Sequence, residues 1–335
     1  MTAPRTSNGQ TAYAERLLEL VAPKLLQVEE ELLRNFQSSV RTIHEVGGHI
    51  LDGGGKRLRP ALLLLVAKML GYDGRRDVVY GTVIEMIHNA TLVHDDIIDE
   101  ADVRRGRTSI NYRWGNDLAV LVGDHLYMNA MRIALAEGNL DVLQLLSNVT
   151  IEMIEGEILG AETNGRADLT AEDYFNIVGR KTAGLFGACC RIPGYLVEVD
   201  ETKATALFDY GYNLGVCFQL VDDMLDFTSS TEVLGKPALS DLREGKVTLP
   251  LLLALPRATD GERSAIATVA STKSFDEVEP QRISAIVERY DTIAETRRIA
   301  RNYAERARNG LALFPDSAAR TGLLSALDFV MDRDR

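Results

Sequence analysis

Apolar residues recur at helical spacing over most of this chain. Leu17, Leu18, Val21, Leu25 and Val28 fall three and four positions apart, predicting helix over 13–51 that Pro23 kinks or divides. Gly53, Gly54 and Gly55 break that run, and Pro60 opens a second apolar helix lasting to Leu70. A turn over 71–76 leads to a long helix over 77–101, and further helical patterns cover 116–136, 140–163, 170–190 and 201–228. Strand-like alternation is almost absent, and 103–110 reads as a loop or a short extended piece. Residues 235–246 form a loop rich in Gly, Lys and Asp, closed by Pro250 before the run LLLAL. The polar stretch 259–280 reads as a surface connection between late helices. No Gly/Ser linker or composition shift divides the chain. One all-α domain is expected over 13–335, behind a polar, disordered tail over 1–12.

Composition narrows the function. The 335 residues are 46% hydrophobic and 26% charged, which excludes disorder and leaves ample material for a core. A net charge of −12 has the wrong sign for a general nucleic-acid binder. The longest apolar runs, 61–66 and 249–255, are far short of the ~20 residues of a membrane span, and no targeting segment is visible. Cys189, Cys190 and Cys217 make neither a disulfide framework nor a zinc knuckle, so a reducing, cytoplasmic setting is expected.

The chemistry lies in a repeated acidic motif. Leu92-Val93-His94-Asp95-Asp96-Ile97-Ile98-Asp99 resembles Leu220-Val221-Asp222-Asp223-Met224-Leu225-Asp226, each an apolar helix running into D-D-x-x-D. The first and last aspartates of each motif stand one helical turn apart on one face, where they repel unless a cation neutralises them. Carboxylate oxygens without thiolates or clustered histidines favour a hard cation, Mg²⁺ above all. One such motif is commonly a solvated helix end; two, each closing a buried apolar helix, point to metal. Basic islands complete the pattern: Lys56, Arg57 and Arg59 after the three glycines, Arg104, Arg105 and Arg107 after Asp99, and Lys181, Lys236 and Lys246 beside Gly or Thr. The Gly53–Lys56 run is not a P-loop, because Arg57 stands where Ser or Thr belongs. His44, His49, His88, His94 and His125 are scattered, and on the residues alone His88 reads as a core histidine. Together these features describe a site for an amphiphile with a diphosphate head and a hydrocarbon tail, and a metal-assisted departure of diphosphate.

In this order, G-G-K-R-x-R-P, H-D-D-x-x-D, R-R-G, G-D, K-T, F-Q-x-x-D-D-x-x-D, G-K and D-L-R-E-G-K-x-T-L-P resemble the trans-isoprenyl diphosphate synthases (polyprenyl synthetases), octaprenyl-like bacterial members in particular. The resemblance implies a single-domain isoprenoid-synthase-type helical bundle around a deep central cavity, commonly a homodimer. It implies head-to-tail condensation of isopentenyl diphosphate with an allylic diphosphate. Asp95, Asp99 and Asp222 would bind three Mg²⁺ ions with the allylic diphosphate, supported by Asp96, Asp223 and Asp226. Arg104, Lys181 and Lys236 would bind that diphosphate, with Lys246 near it. Lys56, Arg59, His88 and Arg105 would hold isopentenyl diphosphate, with Gly55 contributing backbone. The allylic carbocation would be flanked by Thr182, the Lys181 carbonyl and Gln219, and the proton would leave to the departed diphosphate without a side-chain base. One departure concerns Gly235-Lys236-Pro237-Ala238-Leu239-Ser240-Asp241, which replaces the family's G-K-x-x-G-x-D. Pro237 is expected to stiffen this loop, and Ser240 to remove a glycine-like option.

Product length follows from the same helix. Thr91 and Ala90, four and five positions before Asp95, are small where short-chain members carry aromatics, and no insertion interrupts Asp95–Asp99. From Val78 to Asp95 the helix rises about 26 Å, which favours a long product of thirty to fifty carbons over the twenty-carbon geranylgeranyl alternative. Met131, Ala134 and Leu146 are candidates for the floor. A class I terpene cyclase would lack the second diphosphate pocket, and a non-catalytic partner subunit would lose its aspartates; neither fits.

Overall fold

The computed structural model describes residues 19–55, 57–228 and 238–333. Its elements are α1 (Ala22–Asn35), α2 (Arg41–Asp52), α3 (Leu58–Met69), α4 (Arg76–Ile98), β1 (Val103–Arg104), β2 (Arg107–Thr108), α5 (Ile110–Trp114), α6 (Asn116–Ala136) and α7 (Leu140–Thr163). There follow α8 (Ala171–Val178), a π turn (Gly179–Ala183), α9 (Gly184–Leu196), α10 (Glu201–Thr228), α11 (Ser240–Arg243), α12 (Leu249–Ala254) and α13 (Asp260–Thr272). The last elements are α14 (Pro280–Arg289), α15 (Thr292–Gly310), a 3₁₀ turn (Leu311–Leu313) and α16 (Ala318–Met331). The fold is all-α. No helix among the described residues is long and apolar enough to cross a membrane.

The chain forms two compact units. The first takes in the described residues of Met1–Ser147, Ala188–Phe208 and Leu313–Ala326. Its axis is α4, packed against α1, α3 and α6. Val78, Val83, Ile84, Met86 and Ile87 on α4 are fully buried, as is the run Ala61–Ala67 on α3. Helices apolar on every side can only be core helices, and these two are. The second unit takes in Asn148–Gly187, Asp209–Ala312 and the described residues of Leu327–Arg335. There the α10 residues Val216 and Leu220 share a core with Leu249, Leu251, Ile266, Val269, Ile283 and Ala300.

Three expectations need adjusting and one, the extended reading of 103–110, is made sharper. Pro23 lies in the first turn of α1, where a missing N–H costs nothing, and the break in the first run falls after Asn35. The 170–190 pattern is divided by the π turn. The 103–110 piece is a two-stranded hairpin. The polar stretch 259–280 holds a full helix, α13: Thr259 and Glu262 form a capping box, and Ala265, Ile266, Val269 and Ala270 bury one face. Small alanines on that face hid it behind a polar average. The expected tail over 1–12 lies outside the described residues.

Candidate active site

Both acidic motifs occupy the last turn or two of a long helix. Asp95 and Asp96 close α4, and Asp99 is its C-cap; Asp222, Asp223 and Asp226 fall near the end of α10. A helix C-terminus carries a partial negative charge, so carboxylates gathered there are electrostatically unfavourable until a cation joins them.

Within each motif the aspartates differ. Asp96 is buried and takes the Arg104 Nε–H on Oδ1 at 2.6 Å. Burial raises its pKa, and Arg104 pulls it back. Asp223 is buried, its Oδ2 accepting from the Tyr174 hydroxyl at 2.5 Å and its Oδ1 from the Gln219 amide at 2.8 Å. Asp226, also buried, accepts on Oδ1 from the Ser240 N–H (3.1 Å) and hydroxyl (2.7 Å), and on Oδ2 from the Asp241 N–H (3.2 Å). Asp95, Asp99 and Asp222 are only half-buried. One set of carboxylates is buried and holds local structure; the other is half-buried.

Arg104 and Arg105 reach the first motif on a hairpin. Val103 pairs with Thr108 and Arg104 with Arg107, leaving Arg105 and Gly106 as a two-residue turn with φ of 52° and 74°. Two positive φ values define the I′ turn that suits hairpin twist, and glycine belongs at its second position. The Arg105 guanidinium donates to the Gly54 carbonyl, and the His49 ring lies 2.7 Å from the Thr108 carbonyl, tying the hairpin to the end of α2. A cavity of about 50 Å³ lies here, lined by Asn89, Asp96, Arg104, Arg105, His49 and Ile110 among others.

The basic island after the glycines divides. Arg57 is buried and donates to Glu85 at 2.7 Å, so it is a structural ion pair. Arg59 Nη1 lies 3.2 Å from His88 Nε2. Burial, then Arg59, Arg105, Arg104 and Arg57, hold the His88 pKa well below its ordinary value, so the ring is neutral and Nε2 accepts from Arg59. In the second unit, Lys181 and Thr182 sit in the π turn. Such one-turn bulges commonly mark functional sites. A Cβ at Gly156 would lie 2.7 Å from the Lys181 nitrogen, so only glycine lets α7 approach this turn. Lys181 pairs with Glu157, and Thr182 donates to Gln219 Oε1 at 3.3 Å. Lys246 donates to Glu244 at 2.8 Å.

Residues 40–287 match the model of the polyprenyl synthetase family. The chain is 36% identical over 322 residues to octaprenyl diphosphate synthase of Escherichia coli (strain K12), covering 96% of this chain and 99% of that protein. The chain belongs to the polyprenyl synthetase family. Two solved family structures agree with the fold. A polyprenyl synthase from Caulobacter crescentus CB15 superposes with a TM-score of 0.92 at 34% identity, covering 99% of this chain and 100% of that one. A decaprenyl diphosphate synthase from Rhodobacter capsulatus does so with 0.91 at 34% identity, covering 96% and 99%. The fold is therefore that of the isoprenoid synthases, and the chain is a trans-prenyltransferase.

Some residues taken over from the polyprenyl synthetase motifs are not placed: Lys56 and Lys236 lie outside the described residues. Of the residues expected to govern product length, Ala90, Ala134 and Leu146 are buried, Met131 is half-buried, and Thr91 donates to the His88 carbonyl at 2.8 Å. Of the loop departure, Pro237 and its expected stiffening lie outside the described residues. Ser240 serves Asp226, and Leu239 occupies the family's glycine position with a φ of 59°. Sequence reasoning missed Tyr174, Glu157, Glu85 and Arg333. For Tyr174 a signal existed, since a tyrosine on an apolar helix face needs a partner for its hydroxyl.

Proposed function

We propose that this chain condenses isopentenyl diphosphate head-to-tail with an allylic diphosphate and releases a long-chain trans-polyprenyl diphosphate. The observation that carries the reading is the division within each acidic motif: buried carboxylates fixed by the protein, and half-exposed ones at the negative end of a helix. The donor set suits Mg²⁺, being carboxylate alone. Among the described residues no three His, Cys, Asp or Glu side chains already form a cage. Mg²⁺ needs none, because it takes one or two carboxylates and leaves its other positions to water and substrate phosphate. Asp95, Asp99 and Asp222 would hold it, as three ions, and Asp96, Asp223 and Asp226 would keep the helix ends in place. When bound, Mg²⁺ supplies positive charge opposite the departing diphosphate. The Caulobacter crescentus relative was solved with calcium and isoprenyl diphosphate, a divalent cation with the same class of ligand.

Arg104, Lys181 and Lys236, with Lys246 near them, bind the allylic diphosphate in this reading. Lys56, Arg59, Arg105 and the Gly55 backbone hold isopentenyl diphosphate. Neutral His88 adds a hydrogen-bonding group there without further charge. Thr182, Gln219 and the Lys181 carbonyl turn oxygen towards the allylic carbon as charge develops on it. Small Ala90 and Thr91 leave the chain room to grow.

We read residues 13–335 as one catalytic domain working in the cytoplasm, where three free, buried cysteines stay reduced. We further propose a homodimer: Leu121, Met128 and Leu135 recur every seventh residue along α6, each at least 60% exposed, an apolar stripe that calls for cover. Incubation with isopentenyl and farnesyl diphosphates and Mg²⁺, then chromatography of the dephosphorylated products, tests the reading. A ladder ending beyond the twenty-carbon product supports it. A cyclised hydrocarbon, or no condensation by the purified chain alone, overturns it, and a ladder ending at fifteen or twenty carbons overturns the long-chain part.

A further inference from the structure

Four side chains in the second unit close a hydrogen-bonded circuit. Tyr174 on α8 donates to Asp223 Oδ2 at 2.5 Å, Gln219 Nε2 donates to Asp223 Oδ1 at 2.8 Å, and Thr182 Oγ1 donates to Gln219 Oε1 at 3.3 Å. Gln219 and Asp223 stand one turn apart on α10, while Tyr174 and Thr182 belong to the single segment formed by α8 and the π turn. The circuit therefore begins and ends on one segment and crosses α10 between. We infer that Tyr174 is a positioning residue for the transfer step, acting through Asp223 to set the orientation of Gln219 and Thr182; this rests on the function proposed above.

Direction matters here. A terminal amide can turn over, exchanging its oxygen and nitrogen, and only its partners fix it. Asp223 can receive the Gln219 N–H₂ only while its carboxylate plane is held. Tyr174, 7% exposed, holds the opposite oxygen. Burial and Asp223 keep the Tyr174 hydroxyl protonated, so it stays a donor. The start of α8 is itself fixed, because Thr170 and Asp173 form a capping box one residue before Tyr174. With the amide so held, Gln219 Oε1 faces Thr182, and the Thr182 hydroxyl proton is committed to it, leaving the threonine lone pairs for developing positive charge. Oxygens aimed in advance at such charge act in the transition state and add little to ground-state binding.

The test compares Tyr174→Phe, Gln219→Leu and the double variant with wild type, read well below the melting point of the least stable of them. Tyr174→Phe should lower kcat about tenfold with the KM of both substrates within about twofold. Calorimetric binding of an unreactive thio-analogue of the allylic diphosphate should be unchanged. In the Gln219→Leu background the same change should cost less than about twofold, because the two residues act as one unit. Fluorotyrosine at position 174 keeps ring and hydroxyl and should restore wild-type kcat. The inference is overturned if Tyr174→Phe leaves kcat within twofold, if the two losses multiply, or if fluorotyrosine is as impaired as phenylalanine. A wild-type chain that does not condense its substrates overturns the proposed function instead.

Discussion

Arg333 Nη1 lies 2.9 Å from the Asp222 carboxylate, and its guanidinium carbon sits 4.7 Å from the centre of the Phe218 ring. A half-buried acid of the second motif therefore already carries a positive partner from the end of the chain. Any incoming cation competes with it. Replacing Arg333 by Gln should lower the Mg²⁺ concentration for half-maximal binding about two- to fivefold, since a partly exposed ion pair is worth ~1 kcal/mol or less. Titration with Mn²⁺ followed by electron paramagnetic resonance reads this without turnover. An unchanged or weaker affinity shows that Arg333 does not compete.

The two sets of aspartates should fail in different ways. Asp95→Ala and Asp222→Ala remove half-buried carboxylates from the negative end of a helix, so turnover falls by orders of magnitude, while the melting temperature changes little, relief at the helix end offsetting in Asp222→Ala the lost ion pair with Arg333. Asp226→Ala leaves the buried Ser240 donors unpaired, at about 1–3 kcal/mol, and should lower the melting temperature by several degrees, and Asp96→Ala, whose donor Arg104 is partly exposed, should lower it by less. Calorimetry and steady-state rates on the four variants separate the sets, and identical behaviour of all four contradicts the division.

Leu239 sits in left-handed backbone, yet glycine should not improve it. The strain is about 1–2 kcal/mol. Leu239 is 1% exposed, and burying such a side chain contributes about 1.5–3 kcal/mol, with a further 0.5–1 kcal/mol for glycine's added freedom when unfolded. Packing wins, so Leu239→Gly should destabilise by about 1 kcal/mol in chemical denaturation. A stabilised variant would mean that the strain outweighs the packing.

His88 makes stability pH-dependent. Its pKa is depressed in the folded state, so as pH falls through about 6.5 the unfolded chain takes up a proton that the folded chain refuses. Stability is therefore complete above that value and lost below it, by up to ~1.4 kcal/mol per pH unit from this residue. His88→Gln should flatten the difference in denaturant midpoint between about pH 7.5 and about pH 5.5. Equal slopes in variant and wild type would assign the pH dependence to other groups.

Ala90→Phe places a ring five residues before Asp95, in the path assigned to the growing tail. Products should shorten by two or more isoprene units while condensation continues. An unchanged ladder removes Ala90 from that path.

Much of this was legible in one dimension. The apolar period drew α3, α4, α6 and α10 because those helices bury side chains on a regular repeat, and both D-D-x-x-D motifs are local strings. What stayed hidden joins distant positions or depends on backbone shape. Nothing beside Asp223 names Tyr174, nothing beside Asp222 names Arg333, and a π turn over Gly179–Ala183 leaves the surrounding helical pattern nearly intact. Leu239 misled for a different reason: its apolar side chain announces burial, while its φ is a property of the turn.

The acids at the ends of α4 and α10 also bear on how long a molecule lasts in the cell. A chain waiting for substrate keeps carboxylates crowded at two helix ends, offset in part by Arg104 and Arg333, and a ligand at a hundred times its dissociation constant would add about 2.7 kcal/mol to folding. Idle molecules thus open more often than working ones, and a protease meets the idle ones first. By this linkage, supply of precursor should influence the amount of enzyme as well as its rate. Pulse proteolysis with and without Mg²⁺ and diphosphate substrate measures the difference, and equal digestion of the two states would remove the link.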